Sequence, residues 1–428
     1  MSTTPSVAII GSGPSGCYLA QGLRKHWPEA DITIFDQLAS PFGLVRYGVA
    51  ADHQSTKAVT RQFDRLFERD NVRFAGNIRV GEDVTLEQLQ QAYSVVAFAT
   101  GLTQDRKLGI EGESLPGVFG AGVITRRLNS HPVVEEGPTT FGDRVVVIGN
   151  GNVAMDIVRF LIKRPDDYEG SDINDALVES YNAARAKRID VVGRSVVADA
   201  KCDALMVKEL GKIEGVRFST AADCTVPEGA DRATSGRIEA VRELNELEPA
   251  GNVDTEVVFH FGYAPEKIIG ETSVTGVDFT PTTSAGEALH IEAVSVIAAI
   301  GFELQADASQ MFGNDVPQLT ATPETGRFGQ GLYRTGWFKR GPRGTIPENR
   351  ADAKEVTDEI IADVEGGVIT TLPSQTGFAA LPESVQEKAV SFVDWQRLDA
   401  HEQATANAGR IRTKISDHAQ MVAIAKNN

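Results

Sequence analysis

The chain has 428 residues, 41% hydrophobic and 24% charged, a balance that suits a globular enzyme with two cores of roughly 200 residues each. Its 59 acidic side chains outnumber 42 basic ones, and the formal charge of −17 argues against non-specific nucleic-acid binding. The only cysteines, Cys17, Cys202 and Cys224, are too scattered for a CxxC pair or a zinc cluster. Met1 to Ser6 is short and polar, and no apolar run of about 18 residues follows, so the expectation is a cytoplasmic chain without an anchor.

Val7-Ala8-Ile9-Ile10 reads as a buried parallel strand. Gly11-Ser12-Gly13-Pro14-Ser15-Gly16 follows, then a helix with Leu19 and Leu23 four apart that ends near Pro28. Cys17 falls in this helix as a small buried hydrophobe. Asp31-Ile32-Thr33-Ile34-Phe35-Asp36 is a second strand closing on a carboxylate. A GxGxxG in this βαβ setting binds a dinucleotide: Gly11 permits the turn, Gly13 lets backbone approach a pyrophosphate, and Gly16 lets helix pack on strand. The helix N-terminus supplies free N–H groups to the phosphates, and Asp36 stands where a ribose-binding acid belongs. Asp52 fits a helix N-cap. Val95-Val96-Ala97-Phe98-Ala99-Thr100-Gly101 is a further strand whose Ala-Thr-Gly end suits a crossing from one nucleotide domain to another.

The pattern then recurs. Val145-Val146-Val147-Ile148 is followed by Gly149-Asn150-Gly151-Asn152-Val153-Ala154, and the next helix carries Val153, Ile157, Phe160 and Leu161 on one face. Here the strand Ile189-Asp190-Val191-Val192-Gly193 ends on Arg194 where an acid would bind a ribose hydroxyl. A cation there suits a 2′-phosphate, hence NADPH; an ordinary surface arginine is the plain alternative. Residues 219–290, rich in Thr, Glu and Gly, read as antiparallel strands and loops, and Val296-Ile297-Ala298-Ala299-Ile300-Gly301 looks like the return crossing. The fold class is α/β, two Rossmann-like dinucleotide-binding domains with the second inserted in the first, a glutathione-reductase-like layout. The boundaries drawn are 1–105 and 318–428 for a discontinuous first dinucleotide-binding domain and 106–317 for the second, inserted one.

Three stretches carry a family resemblance: Pro41-Phe42-Gly43-Leu44-Val45-Arg46-Tyr47-Gly48-Val49-Ala50-Ala51-Asp52-His53, Gly149 to Asp156, and Gly336-Trp337-Phe338-Lys339-Arg340-Gly341-Pro342-Arg343-Gly344-Thr345-Ile346. With Ser391 to Asp399, they closely resemble the adrenodoxin reductase-like ferredoxin–NADP(+) reductases over the whole length of the chain. The resemblance implies that Gly11, Gly13, Ser15 and Gly16 hold the FAD pyrophosphate and Asp36, usually Glu in the family, its ribose. Gly43, Leu44, Gly48, Val49, Thr100 and Gly101 would line the FAD site. Trp337 and the Gly344-Thr345-Ile346 backbone would lie against the flavin ring and its O2 edge. Gly149, Gly151, Asn152 and Val153 would meet the NADP pyrophosphate, Arg194 the 2′-phosphate and Glu209 the nicotinamide amide.

The sequence departs from the family at three places. Arg194-Ser195 replaces a pair of arginines, Glu209-Leu210-Gly211-Lys212 replaces Glu-Leu-Arg-Glu, and Leu128-Asn129-Ser130-His131-Pro132 replaces a Tyr-Asn-Gly pattern. The second glutamate, a partner in the family for the histidine matching His53, is thus read as Lys212.

Hydride transfer from nicotinamide to flavin needs stacking, alignment and exclusion of water rather than a triad. His53 is singled out as a group near the flavin that tunes it or relays a proton, with a structural helix-capping role as the alternative. Glu209 is the second residue given a catalytic place. The implied activity passes hydride from NADPH to FAD and then single electrons to a ferredoxin-type iron–sulfur protein, which supplies, for example, a cytochrome P450. An NADH-preferring reductase or diaphorase and a non-enzymatic sensor of pyridine-nucleotide state stay open beside it. The expected chain is a monomer or weak dimer that binds neither nucleic acid nor membrane. An acidic ferredoxin calls for a local basic patch. Three runs offer one: Arg185, Lys187 and Arg188; Lys201, Lys208 and Lys212; and Lys339 to Arg343.

Overall fold

The computed structural model describes residues 4–133, 137–283, 286–304, 325–369 and 377–427. The chain divides into two compact units, one of Met1–Gln104, Ser130–Val133 and Phe302–Asn428, the other of Asp105–Asn129 and Val134–Gly301. The boundary drawn from sequence at 317/318 lies outside the described residues.

The first unit is built on a six-stranded sheet ordered Arg327–Gly329, Leu332–Arg334, Val95–Phe98, Val7–Ile10, Ile32–Phe35, Arg73–Ala75. Only the first of these pairs antiparallel. Val7–Ile10, Ile32–Phe35 and Val95–Phe98 are buried at every residue, because layers cover both faces and the sequence gives each strand a continuous apolar run. Val7, Ile9, Ile32 and Ile34 pack on one side with Leu19 and Leu23 of helix Pro14–His26, Val356 and Ile360 of helix Ile346–Glu365, and Trp395 of helix Phe392–Ala404. Ala8, Ile10, Phe35 and Phe98 turn to the other side and meet Leu89, Tyr93 and Phe338.

A buried ion pair ties the first unit's N-terminal third to its C-terminal helices. The Arg46 Nη2 donates to both carboxylate oxygens of Glu402 at 2.6 Å, and Glu402 is fully enclosed. The guanidinium lies 4.7 Å from the Trp395 ring centre and 5.1 Å from that of Tyr47. Burial disfavours the Arg46 charge, and Glu402 more than offsets that, holding the group protonated. Lys57 and Lys414, both buried, donate to the Arg46 carbonyl at 3.4 and 3.2 Å.

Asp64, on helix Thr60–Glu68, is strained in the opposite sense. Burial and the neighbouring Glu68 and Asp399 raise its pKa to about 6 against the pull of Arg412. The folded protein therefore keeps a proton that the unfolded chain, with an ordinary value of 3.8, releases. Stability contributed by this group falls as pH rises from about 4 to 6, and the full cost is present above that. Asp64→Asn is expected to raise the melting temperature at pH 8 and to leave it unchanged near pH 4. Thermal melts across that range check this, and an equal effect at both ends refutes it.

The second unit has six parallel strands, ordered Val118–Gly120, Ser295–Ala298, Arg144–Ile148, Arg188–Gly193, Thr255–Phe261, Val216–Thr220. An antiparallel meander of Tyr263–Ile269, Gly276–Pro281 and Leu289–Glu292 brings Ile268, Val277, Phe279 and Ile291 onto Val146, Ile148, Val192 and Val296. The reading of 219–290 as antiparallel strands and loops holds for this meander and fails before it. Arg232–Asn245 is a helix, capped by the Asp231 carboxylate on the Thr234 N–H, with Ile238, Val241 and Leu244 buried at helical spacing. Thr255–Phe261 is a parallel strand with parallel neighbours on both sides. The count of Thr, Glu and Gly hid a period that only these few apolar positions carry.

Candidate nucleotide-binding sites

In the first unit the glycine-rich turn leaves the central strand with Gly11 at φ +107°, and the Gly11 N–H donates to Phe35 O at 2.8 Å. A Cβ on Gly11 would lie 2.5 Å from the Ala99 carbonyl oxygen, and one on Gly16 would lie 2.1 Å from Gly11 O. Gly13 is the N-cap of helix Pro14–His26, no side chain caps it, and a Cβ there would meet nothing within 4 Å. The result is an open backbone surface at an uncapped helix N-terminus, a fit for a pyrophosphate. Ser15 is buried beneath it, so close to Gly336 that a Cβ on Gly336 would stand 2.0 Å from Ser15 Oγ.

Asp36 braces this turn. Its Oδ2 accepts from the Ser12 hydroxyl and from the Ser12 N–H at 3.0 Å, and its Oδ1 accepts from the Leu38 N–H at 3.0 Å. Burial pushes the carboxyl above its usual range, and these donors pull it back. Ser12 Oγ also accepts from the Phe42 N–H at 3.2 Å. Phe42 sits at φ +81°, a conformation that side chains other than glycine rarely adopt. Gly43 follows at φ +49°, where a Cβ would come 3.2 Å from Gly13 Cα. The Pro41-Phe42-Gly43 turn is thus pressed against the glycine-rich turn. Leu44 opens a four-residue helix, and the Gly48 and Val49 N–H groups both return to Leu44 O at 2.7 Å. Thr100 and Gly101 are half-buried beyond the Val95–Phe98 strand.

Trp337 begins the short helix Trp337–Arg340, and its ring stacks on Phe302 at 5.8 Å between centres. Asp352, buried, organises the approach: it accepts from Thr335 Oγ1 at 2.8 Å, the Gly336 N–H at 2.6 Å and Lys339 Nζ at 3.1 Å. The Trp337 Nε1 donates to Gly344 O at 3.3 Å. Gly344, at φ +84°, leads into Thr345, the N-cap of helix Ile346–Glu365, and the Glu348 carboxylate accepts from the Thr345 N–H at 2.9 Å. Hydrogen bonds from the Thr345 hydroxyl and N–H hold the Glu348 carboxyl below its ordinary range.

His53 occupies the N-cap position of helix Gln54–Lys57, with no cap bond from its imidazole. The N-cap expected at Asp52 therefore falls one residue later, because the His53 carbonyl accepts the Thr56 and Lys57 N–H groups.

The second unit repeats the first turn's geometry. Gly149 stands at φ +131°, its N–H donates to Val192 O at 2.8 Å, and a Cβ on it would lie 2.3 Å from Ala299 O. Ala299 donates to Ile148 O at 2.7 Å as Ala99 does to Ile10 O. Gly151 is an N-cap without a side-chain bond, opening helix Asn152–Ile162, so this turn too offers free amides. Asn152 is tied to Asp203, the N-cap of helix Ala204–Leu210: its Nδ2 donates to Asp203 Oδ2 at 2.7 Å and its Oδ1 accepts the Asp203 N–H at 2.8 Å. Val153 is half-buried in the first turn of the helix. Glu209 accepts from Arg159 Nη1 at 2.7 Å, and Arg159, buried, also pairs with Asp156 at 3.0 Å.

Arg194 is exposed, with its backbone carbonyl held by Thr282 Oγ1 at 2.9 Å. Ser12, Asp352, Arg159 and Asp203 escaped the sequence reading. Each is a polar residue whose role is to hold a neighbour, and spacing alone carries no signal for that.

The three basic runs fare differently. Lys339 is buried on Asp352, and Arg340 lies 3.2 Å from the same carboxylate, so that run fails as a docking patch apart from exposed Arg343. Arg185 donates to the Ile162 and Lys163 carbonyls and Arg188 to Asp190. Lys201, Lys208 and Lys212 are all exposed.

Residues 5–316 match the family described as pyridine nucleotide-disulphide oxidoreductase. Cindoxin reductase of Citrobacter braakii is 41% identical over 430 residues, spanning 99% of this chain and 92% of the relative. The mitochondrial NADPH:adrenodoxin oxidoreductase of Mus musculus is 30% identical, over 98% of this chain and 91% of its own. Mycobacterium tuberculosis FprA in complex with NADPH superposes with a TM-score of 0.88 at 30% identity, covering 99% of this chain and all of that one. The chain belongs to the pyridine nucleotide-disulphide oxidoreductases and, within them, to the adrenodoxin reductase-like ferredoxin–NADP(+) reductases.

Proposed function

We propose that this chain is an FAD-dependent ferredoxin–NADP(+) reductase that takes hydride from NADPH and delivers single electrons to a ferredoxin-type iron–sulfur protein, one outlet being a cytochrome P450. The observation that carries the reading is the duplicated turn: Gly11 and Gly149 share one geometry, and an acid follows the second strand of the first unit where Arg194 follows that of the second. FAD, when bound, accepts the hydride and releases its electrons one at a time. Gly11, Gly13, Ser15 and Gly16 hold its pyrophosphate on the amides of helix Pro14–His26. Asp36 keeps that turn in shape through Ser12 and serves the ribose. Trp337, braced by Phe302 and by Gly344 O, lies against the flavin ring, and the first turn of Ile346–Glu365 meets its O2 edge.

In the second unit Gly149, Gly151, Asn152 and Val153 take the pyrophosphate of NADPH and Arg194 its 2′-phosphate. Arg159 fixes Glu209 for the nicotinamide amide. His53, half-buried at its helix start, is the group we assign to tuning the flavin or relaying a proton. The three cysteines form no disulfide, in keeping with the reducing cytoplasm to which we assign the protein. No helix among the described residues is long and apolar enough to cross a membrane.

Anaerobic stopped-flow reduction of the bound flavin tests the reading. A preference for NADPH over NADH of about a hundredfold, about 2.7 kcal/mol, is expected. Equal or faster reduction by NADH overturns the NADPH assignment and favours an NADH reductase, the reading that Ser195 in place of a second arginine supports. For the partner, the surface tested is exposed Lys208 and Lys212, on and just after helix Ala204–Leu210, with Lys208 meeting Glu243 at 2.9 Å. Charge reversal of both is expected to slow reduction of a ferredoxin at low salt by about tenfold and to leave ferricyanide reduction intact. A silent double reversal removes this surface from consideration.

A further inference from the structure

The Trp337 turn and the Gly344 loop are both tied to one buried carboxylate of the first unit. Asp352, on helix Ile346–Glu365, accepts from Thr335 Oγ1 and from the Gly336 N–H through its Oδ2. Its Oδ1 accepts from Lys339 Nζ at 3.1 Å and lies 3.2 Å from Arg340 Nε. These residues are the entry and the exit of helix Trp337–Arg340, so one side chain fixes both of its ends. A single turn of helix is too short to hold itself, and this one starts on Gly336 at φ +69° and stops on Gly341 at φ +76°. Arg340 extends the link. Its Nη2 donates to Asn349 Oδ1 at 2.6 Å, and its Nη1 donates at 2.9 Å to the carbonyl of Arg343, the residue before Gly344. Gly336 also rests against Ser15 of the pyrophosphate turn.

The charges in this cluster do not balance. Lys339 and Arg340 converge on the one buried acid, and Lys339 is buried with it. Glu355 stands 3.5 Å from Lys339 Nζ, but its side chain is 74% exposed, so water screens it. A charge enclosed in protein acts more strongly on its neighbours than one in water. Reduction adds electrons to the flavin, so a nearby cation favours the reduced form and a nearby anion the oxidised form. We propose that Asp352 is a positioning residue for the flavin: it holds the Trp337 turn in place and, set against Lys339, fixes the midpoint potential of the bound cofactor. The proposal rests on the reading that Trp337 lies against the flavin ring.

The test is a dye-equilibrated redox titration of the FAD-loaded, full-length protein. Lys339→Met removes the buried cation and is expected to raise the ratio of oxidised to reduced flavin about tenfold at a fixed potential, a midpoint about 30 mV lower. Asp352→Asn keeps the shape of the side chain without its charge, and is expected to shift the ratio about tenfold the other way. The double variant is expected to return to within about twofold of the parent, since the two changes oppose each other. A purely structural role for Asp352 gives shifts of one sign in both single variants, or none, and either result overturns the proposal. If Asp352→Asn purifies without flavin, Lys339→Met and the double variant still differ only in the Asp352 charge. The double is then expected to lie about tenfold further towards reduced flavin, and equal potentials overturn the proposal. Trp337→Phe tests the underlying reading separately, and is expected to change the flavin absorption envelope. An unchanged envelope brings down the placement of Trp337 on the ring, and the proposal with it. A changed envelope with unshifted potentials in the charge variants overturns the proposal alone.

Discussion

Glu402→Ala is expected to lower the stability of the first unit by about 3–5 kcal/mol, the cost of stranding a buried charge. Removing the carboxylate leaves Arg46 enclosed against Trp395 and Tyr47, with Lys414 and Lys57 on its carbonyl and no opposite charge 2.6 Å away. Burial disfavours the Arg46 charge by itself, so the remaining cation pays the full desolvation cost. The readout is the urea midpoint of flavin release, which follows this unit alone in a chain that need not unfold in one step. Arg46→Met combined with Glu402→Leu removes both charges, and is expected to recover most of the loss. A midpoint unchanged in the single variant would show that the pair is solvated in solution.

Gly11→Ala and Gly149→Ala should each abolish one nucleotide site and spare the other. Both glycines sit at positive φ, and the added carbon would meet a carbonyl oxygen at 2.5 and 2.3 Å. Strain of this backbone class costs on the order of 1–3 kcal/mol before the clash is counted. Gly11→Ala is expected to yield protein that purifies without flavin absorbance. Gly149→Ala is expected to keep its flavin and to weaken NADPH by at least about a hundredfold, read by titration of the oxidised protein with NADP(+). Loss of flavin from the Gly149 variant would contradict the independence of the two turns.

How much of this was legible beforehand depended on whether a residue's role is local. The two βαβ units were plain because Val7 to Ile10 and Val145 to Ile148 are unbroken apolar runs that end at glycines, and such runs serve strands buried on both faces. The acid or arginine after the second strand was equally visible. Helix Arg232–Asn245 was not, since its apolar positions are few and its Thr, Gly and Glu content suits loops. Lys339 looked like part of a basic surface because sequence shows charge and not depth; Asp352, thirteen residues on, is what buries it. Asn150 carried no signal either. Its setting shows only when the two turns are compared in space, the Ser12 hydroxyl paired with Asp36 and the Asn150 amide without a partner among the described residues.

The sheet of the first unit takes Leu332–Arg334 as the neighbour of Val95–Phe98, and Arg46 finds its carboxylate at Glu402. On a ribosome adding about 5–20 residues per second, these partners arrive tens of seconds after the strands they complete. The second unit, by contrast, has its six-stranded sheet and its meander, among the described residues, in the interval from Val118 to Ala298. The inserted unit is therefore complete in the nascent chain while the first still waits for its closing strand and its counter-charge. Flavin capture becomes a late event of biogenesis, governed by the last quarter of the polypeptide rather than by the glycine-rich turn made in the first few seconds.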